Sequence, residues 1–479
     1  MQKNIQLPVE HLPYFEAIGR AGDALQVPTY VVGGYVRDLL LGRTVKDIDI
    51  VCVGNGIGLA KKSAQAFPTA TTVTVFHTFG TAMFRVGDVE IEFVGARKES
   101  YQADSRKPAV ENGTLADDQI RRDFSINAMA ICLNSEHFGE LIDPFDGIGD
   151  LEKGIIRTPT DADITFSDDP LRMLRAIRFA TQLNFVLEEK TYAAIINNRQ
   201  RLHIISAERI HTELNKIIAA PCPSIGFKYL FDTRLLHEFF PELAAMQGIA
   251  VRNGVAHKDN FYHTLEVLDN IAPLTDNLWL RWAALLHDIA KPLTKRFEEE
   301  HQSWTFHSHE FVGMKVAQQI FKRLKLPLGD ELKFVQKMIG LHQRPMMLTK
   351  DTITDSAVRR ILFDAGEDIE ALMTLCHADI TSKKEWRVKK YIEDYAYLKE
   401  RMTEIEAKDQ LRNWQPPISG EIIMETFQIK PSRQVGIVKD AIREAILDGI
   451  IPNDYQIAYD FMLQKGQEIG LTVHTTHHS

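Results

Sequence analysis

The chain has little cysteine. Its four residues, Cys52, Cys132, Cys222 and Cys376, lie far apart and form no Cys-x-x-Cys pair. That excludes a zinc ribbon and a disulfide scaffold and fits a reducing compartment, so a cytoplasmic location is expected. No apolar run approaches the ~18 residues of a membrane span. The stretch from Met1 to Leu12 carries Lys3, Glu10 and His11 without an apolar segment, so no secretory leader is expected. Excess positive charge is also lacking: 65 Asp+Glu oppose 56 Lys+Arg, a formal charge of −9. The chain is therefore not built to coat nucleic acid by bulk charge, although a local basic groove stays open. Internal repeats and low-complexity tracts are absent. What is there is ordinary globular composition, 44% hydrophobic and 25% charged over 479 residues, which rules out global disorder. Length alone suggests about three domains at ~150 residues each.

Short β-rich runs fill the first part. Tyr30–Val32, Ile48–Val53, Thr72–Val75, Thr81–Val86 and Val89–Phe93 read as strands, with helices at Val36–Leu41 and Gly58–Ala66 between them. After about Asp150 the strand signals fade and helical spacing takes over. Pro170 to Leu183 is the clearest helix, with Ser167, Asp168 and Asp169 as capping side chains before it. Asn413 to Pro417 reads as a linker, and Pro221-Cys222-Pro223 as another boundary. The expected fold class is α+β: an α/β head followed by an all-α remainder.

Two features of the head carry chemistry. Gly33-Gly34-Tyr35-Val36-Arg37-Asp38 joins a strand to a helix, and paired glycines let backbone approach a phosphate closely. Asp47-Ile48-Asp49 opens the next strand, where alternation puts both carboxylates on one face. Two such acids bind Mg²⁺ shared with substrate phosphates. A third, Glu90 or Glu92, completes a two-metal clamp for in-line attack at phosphorus.

Together these residues resemble the nucleotidyltransferase superfamily of DNA polymerase β. More narrowly, they resemble the class II tRNA nucleotidyltransferase and bacterial poly(A) polymerase family. Arg121-Arg122-Asp123-Phe124-Ser125-Ile126-Asn127-Ala128-Met129-Ala130 is similar to the family's RRDFTINAMA segment, with Ser125 for Thr. Asp143 to Leu151 resembles its hinge, with Ile148 interrupting the glycine pair. Asp168 to Ala176 resembles its base-reading helix, and Ser206 to Glu213 its ERI helix. The resemblance implies a polymerase-β-like head of five-stranded type. It favours Glu92, with Arg97, as the third carboxylate. It also implies that Arg122, Asp123 and Asn127 contact triphosphate or sugar, beside Gly33, Gly34 and Arg37. Arg175, Arg178 and Arg209 are expected to support phosphate or the reading helix; Arg178 equally reads as a solvated neighbour. The segment Lys98 to Asp118 is expected to be a loop.

The chemistry of base reading follows from the side chains. Asp169 and Arg172 are three apart, on one face of the expected helix. Aspartate accepts and arginine donates. Cytosine and adenine each pair an amine donor with a ring-nitrogen acceptor, whereas guanine and uracil present the reverse. A fixed Asp/Arg pair therefore accepts C and A and leaves buried groups unpaired against G and U.

A second constellation is His263, His287-Asp288 and Asp379. The run Arg281 to Leu286 is apolar up to an abrupt His-Asp pair, whose burial without partners costs several kcal/mol. Imidazoles and carboxylates around a divalent metal satisfy one another. The pattern resembles the HD phosphohydrolase superfamily, which implies the ligand set His263, His287, Asp288 and Asp379, with His377 competing with Asp379. His307, His309, Glu310 and His342 resemble positions that hold a second metal or phosphate. A third stretch, Lys383, Lys384, Arg387, Lys389 and Lys390 around Trp386, is a basic stripe suited to RNA phosphates or a solvated helix face.

The expected organisation is a catalytic head (1–145), a helical neck (146–222), an HD-type body (223–412) and a tRNA-binding tail (413–479). The expected activity is template-independent addition of C, C and A to tRNA 3′ ends from CTP and ATP, with two Mg²⁺ at the head and another divalent metal at the HD site. An A-only adder or poly(A) polymerase, and an HD phosphohydrolase, are the rivals. No membrane partner is expected; monomer and homodimer both stay open.

Overall fold

The computed structural model describes residues 4–45, 47–77, 80–102, 105–348, 352–382, 384–409 and 415–473. The chain forms two compact units, Met1–Ala244 and Ala245–Ser479. Among the described residues no helix is long and apolar enough to cross a membrane.

In the first unit the strands are β1 (Thr29–Val32), β2 (Asp47–Cys52), β3 (Thr74–Phe76), β4 (Thr81–Val86), β5 (Val89–Gly95), β6 (Arg97–Gln102), β7 (Ser105–Asn112), β8 (Ala130–Cys132) and β9 (Leu141–Ile142). Seven of them make one sheet in the order β3-β4-β5-β2-β1-β8-β9, while β6 and β7 pair as a separate hairpin. The sheet thus exceeds the five strands expected. Its two extra strands, β8 and β9, at one end of the sheet, have only three and two residues, too short to show a period in the sequence. Lys98 to Asp118 is not a loop but mostly the β6–β7 hairpin and the start of a helix.

The strands alternate as their sequences require. Ile48, Ile50, Ile91 and Phe93 are buried, and Asp47, Asp49 and Glu92 face outward. Helices α1 (Leu12–Leu25), α2 (Gly34–Leu40) and α3 (Gly56–Ala64) interleave with the strands, and α1 and α3 pack on the sheet. Then come α4 (Leu115–Ile120), α5 (Gly147–Lys153), α6 (Ala162–Asp168), α7 (Leu171–Leu183), α8 (Glu189–Asn198) and α9 (Ala207–Ile218). α4 opens with a capping box, Thr114 and Asp117 each bonding the other's backbone N–H. α7 and α9 pack together. One parallel pair, Ile155–Ile156 with Val186–Leu187, interrupts this helical stretch.

The second unit is helical around Trp282, Leu285 and Leu286, all fully buried. The helices Asn260–Ile271, Leu278–Leu286, His309–Arg323, Asp330–Leu341 and Ile369–Ala378 pack on one another there. Two short hairpins, at Val251–Ala256 and Arg296–Thr305, are the strand pairs missed by the helical reading. A separate small core, including Ile418, Phe427, Ile442 and Met462, holds the C-terminal helices.

The strand carrying Glu92 is held by a close helix contact. A Cβ on Gly56 would stand 2.7 Å from the Val94 carbonyl carbon and the Gly95 nitrogen, so α3 meets β5 backbone to backbone. Gly56→Ala is expected to cost about 1–3 kcal/mol through overpacking, read as a lower urea midpoint. An unchanged midpoint contradicts that account.

Candidate active site and candidate metal centre

β2 and β5 run parallel, with Asp47 opposite Glu90 and Asp49 opposite Glu92. Four carboxylates therefore share one wall of a cleft of about 870 Å³. Glu90 is committed elsewhere: Arg85 Nε donates to its Oε2 at 2.7 Å. Glu92 has the Thr81 hydroxyl and the field of Arg97 as stabilising neighbours. Desolvation raises the Asp49 pKa, Arg122 opposes and Asp47 reinforces. Desolvation also raises Glu92, with Asp49 adding to it. Both side chains are reachable by water; a concave floor admits water while protein rings it, so screening limits the energy of these shifts. Crowded like charges of this kind fit a divalent cation.

The opposite wall is basic. Eight arginines and Lys216 line the cleft, against six acids. Gly33 has φ 74°, and a Cβ there would stand 2.9 Å from Arg122 Nη1. Asp118, fully buried, gathers both leading arginines: Arg121 donates to Oδ1, and Arg122 donates to Oδ2 through Nε at 3.0 Å and Nη2 at 2.9 Å. A chain of bonds then ties α2 to α7. Arg37 Nη1 donates to Asn127 Oδ1 at 2.8 Å, Asn127 Nδ2 to Asp123 Oδ1 at 3.0 Å, and Arg175 Nε to Asp123 Oδ2 at 2.7 Å. Burial alone would raise Asp123, but Arg175 and Asn127 hold it below the usual carboxylate range. The Phe179 ring lies under three guanidinium groups, Arg178 at 4.0 Å, Arg37 at 4.9 Å and Arg175 at 5.5 Å. Arg178 Nε sits 2.7 Å from Glu213 Oε2, too poorly aligned for a hydrogen bond. Burial pushes Arg178 down to about 10, with Glu213 opposing.

Asp169 and Arg172 both reach the cleft, but not from one helix face. Asp169 is extended (φ −133°) and precedes α7, because the chain must turn between α6 and Pro170. Its Oδ1 accepts the Leu171 N–H at 3.1 Å, a capping bond. Arg209 Nη2 lies 3.7 Å from Oδ2, and Arg172 Nη2 donates to the Arg121 carbonyl at 2.6 Å. The Ser125 hydroxyl donates to buried Asp150, which also accepts from Arg157 Nε at 2.9 Å.

In the second unit the His-Asp pair becomes a buried cluster. Asp288 Oδ2 has His263 Nε2 at 3.5 Å and His287 Nε2 at 3.3 Å. Its Oδ1 has His309 Nε2 at 3.3 Å and His342 Nε2 at 3.8 Å. Asp379 Oδ1 joins His263 Nε2 at 3.0 Å and His287 Nε2 at 3.7 Å. Two groups able to hold an ion therefore share Asp288: with His263 and His287, and with His309 and His342. Lys291 Nζ stands 2.6 Å from Asp288 Oδ2. It is not aligned to donate, and both Asp288 oxygens and His287 Nε2 are buried without hydrogen bonds. Orphaned buried atoms with this donor set fit divalent metal. Burial would depress His287, but Asp288 and Asp379 raise it to about 9. His342, buried beside His287, falls to about 4.

Residues 29–157 match the Poly A polymerase head domain, 184–247 the probable RNA and SrmB-binding site of polymerase A, and 260–408 the HD domain. The multifunctional CCA protein of Shewanella frigidimarina is 31% identical over 372 residues, covering 74% of this chain and 84% of that one. The chain belongs to the tRNA nucleotidyltransferase family. The A-adding tRNA nucleotidyltransferase of Aquifex aeolicus is 32% identical over 370 residues, 72% of this chain. The match spans 44% of that relative's length. The CCA-adding enzyme of Bacillus stearothermophilus, solved with CTP, superposes with a TM-score of 0.67 at 23% identity, over 95% of this chain and 98% of that one. The family thus includes both A-adding and CCA-adding names, and the fold is that of the solved CCA-adding enzymes.

Against this family background, the cleft gathers Gly33, Gly34, Arg37, Asp47, Asp49, Glu92, Arg97, Arg122, Asp123, Asn127, Asp169, Arg172, Arg175, Arg178 and Arg209. His263, His287, Asp288 and Asp379 also meet. His377 does not: it is exposed and packs on Tyr395 at 5.3 Å. His307 is exposed and pairs with Glu298. Lys384, Arg387, Lys389 and Lys390 are exposed on the Glu385–Asp409 helix or just before it; Lys383 lies outside the described residues. The sequence reading missed Asp118, Phe179 and Glu213 as parts of the arginine wall. The i, i+3 and i+4 spacing of Asp118 to Arg121 and Arg122 was the available signal for the first.

A carboxyl with a raised pKa costs stability once deprotonated. The cost is absent below its unfolded pKa and full above the folded one, hence at neutral pH. Asp49→Asn is therefore expected to raise the melting temperature at pH 7 and leave it unmoved near pH 3. It should also lower nucleotide addition by more than about 100-fold, the loss that even outer metal partners command. A lower melting temperature at pH 7, or retained activity, contradicts this.

Proposed function

We propose that the chain adds C, C and A in turn to tRNA 3′ ends, taking CTP and ATP and releasing pyrophosphate. The observation that carries the reading is the register of β2 and β5, which sets Asp49 beside Glu92 on the wall facing the arginines. Asp47, Asp49 and Glu92 would hold two Mg²⁺. Those ions would supply charge neutralisation at the triphosphate and a lower pKa for the attacking hydroxyl. The chain's own residues do the positioning. Gly33 and Gly34 let the triphosphate approach the backbone, and Arg37, Arg122 and Arg175 balance its charge. Asn127 and Asp123 hold Arg37 and Arg175 in place, and Asp118 holds Arg122. Asp169 accepts the exocyclic amine of C or A, and Arg172 donates to the neighbouring ring nitrogen. Arg178 steadies Phe179 and α9 from the back.

The division into head, neck, HD body and tail belongs to this reading, as does a cytoplasmic site of action. The exposed Trp386 and Tyr391 lie among Lys384, Arg387, Lys389 and Lys390, which suits a stripe that contacts RNA by charge and stacking.

Truncated tRNA lacking CCA, supplied with CTP alone, ATP alone, or both, tests the assignment. Two additions from CTP and then one from ATP are expected. A single A on a CC-ending tRNA, with no C incorporated on the truncated one, would make the chain an A-adder. Unlimited A would make it a poly(A) polymerase.

A second activity, hydrolysis of phosphate esters, is favoured by the four histidine Nε2 atoms that converge on the two Asp288 oxygens. Asp49→Ala is expected to abolish nucleotide addition and spare metal-dependent ester hydrolysis. His287→Ala should do the reverse. Loss of both activities in either variant sinks the two-centre reading.

A further inference from the structure

The four histidines around Asp288 are not held alike. His287 Nδ1 lies 2.8 Å from the Ala284 carbonyl, His309 Nδ1 2.8 Å from the Phe306 carbonyl, and His342 Nδ1 2.7 Å from the Ile339 carbonyl. A carbonyl only accepts, so each of these rings carries a proton on Nδ1, and Nε2, facing the centre, is the nitrogen left for a metal to take up. His263 has no such carbonyl. Its Nδ1 meets the Thr381 hydroxyl at 3.0 Å and Lys258 Nζ at 3.1 Å.

Neither partner fixes the ligating tautomer. An ammonium only donates, and a hydroxyl both donates and accepts. Lys258 Nζ donates to Thr381 Oγ1 at 2.6 Å and reaches the Thr381 carbonyl at 3.4 Å. That fills one lone pair of the hydroxyl and leaves it one hydrogen and one lone pair. If the hydrogen points at Nδ1, the His263 proton sits on Nε2 and is donated to Asp379 Oδ1, 3.0 Å away. If the lone pair faces Nδ1–H, Nε2 is free to ligate. Turning one buried hydroxyl separates the two states. Thr381 and His263 are each only 9% exposed, so bulk water does not readily take over this role.

We infer that Thr381, oriented by Lys258, is a positioning residue that sets the tautomer of His263. The ion held by His263, His287, Asp288 and Asp379 is thereby the exchangeable one, while the ion held by Asp288, His309 and His342 is retained. The inference rests on the metal reading of this cluster.

The test titrates Mn²⁺ alone into the full chain by calorimetry, in an Asp47→Ala/Asp49→Ala background that removes two of the three carboxylates expected to hold metal at the head. The background chain is expected to bind two Mn²⁺ with unequal affinity, and His287→Ala to abolish the weaker site. Thr381→Val should weaken that same site by about 10–100-fold, the range for partners behind a metal ligand, and leave the tighter one unchanged. Thr381→Ser should restore it. Lys258→Met should tighten it, because the competing donor is gone. The inference is overturned if Thr381→Val weakens neither site or both equally, if serine does not restore binding, or if Lys258→Met fails to tighten the weaker site. If the background chain binds no Mn²⁺ that His287→Ala removes, the metal reading of the cluster falls first, and this inference with it.

Discussion

Carboxylates that repel one another are held side by side by backbone hydrogen bonds. The parallel pairing of β2 and β5 sets Asp47 against Glu90 and Asp49 against Glu92, and much of the first unit answers the charge this creates. Arg85 takes one acid out of play. Arg122, held by Asp118, leans toward Asp49. What stays uncompensated is a small patch of negative charge on an otherwise basic cleft, the arrangement that a divalent cation and a polyphosphate complete together.

The basic wall has its own version of the problem. Arginines packed this closely would drift apart without counter-charges, and buried acids supply them. Asp118 gathers Arg121 and Arg122; Asp123 gathers Arg175 and, through Asn127, Arg37. Removing one member of such a buried set leaves an uncompensated charge, a loss of about 3–5 kcal/mol. The acids on the arginine side therefore serve geometry, and those on the strand side serve chemistry. The signs of the shifts agree: Asp123 is held low, while Asp49 and Glu92 are pushed up.

The second unit reverses the balance. There one buried carboxylate, Asp288, is ringed by four imidazoles and Lys291. Its oxygens are buried without hydrogen bonds, and the rings turn Nε2 toward them. The helix backbones dictate this, since carbonyls three residues earlier hold the Nδ1 protons of His287, His309 and His342.

Local order was legible in the sequence. Alternation gave β2 and β5 their acid faces, Pro170 marked the start of α7, and the abrupt His287-Asp288 pair after an apolar helix announced a buried polar centre. Short-range chemistry sufficed there, because strand period, capping and the cost of burying charge all act within a few residues. The choice between Glu90 and Glu92 depended on Arg85, which reaches Glu90 across a β4–β5 pairing. The choice between Asp379 and His377 depended on which side of the Ile369–Ala378 helix faces the Asn260–Ile271 helix. Asp169 left the helix face expected of it because a turn between two helices sets its backbone. The short strands β8 and β9 and the β6–β7 hairpin exist only as pairings. The sequence determined which groups carry charge and which must be buried; the tertiary structure decided which charges meet, because meeting is fixed by register and packing between segments far apart in the chain.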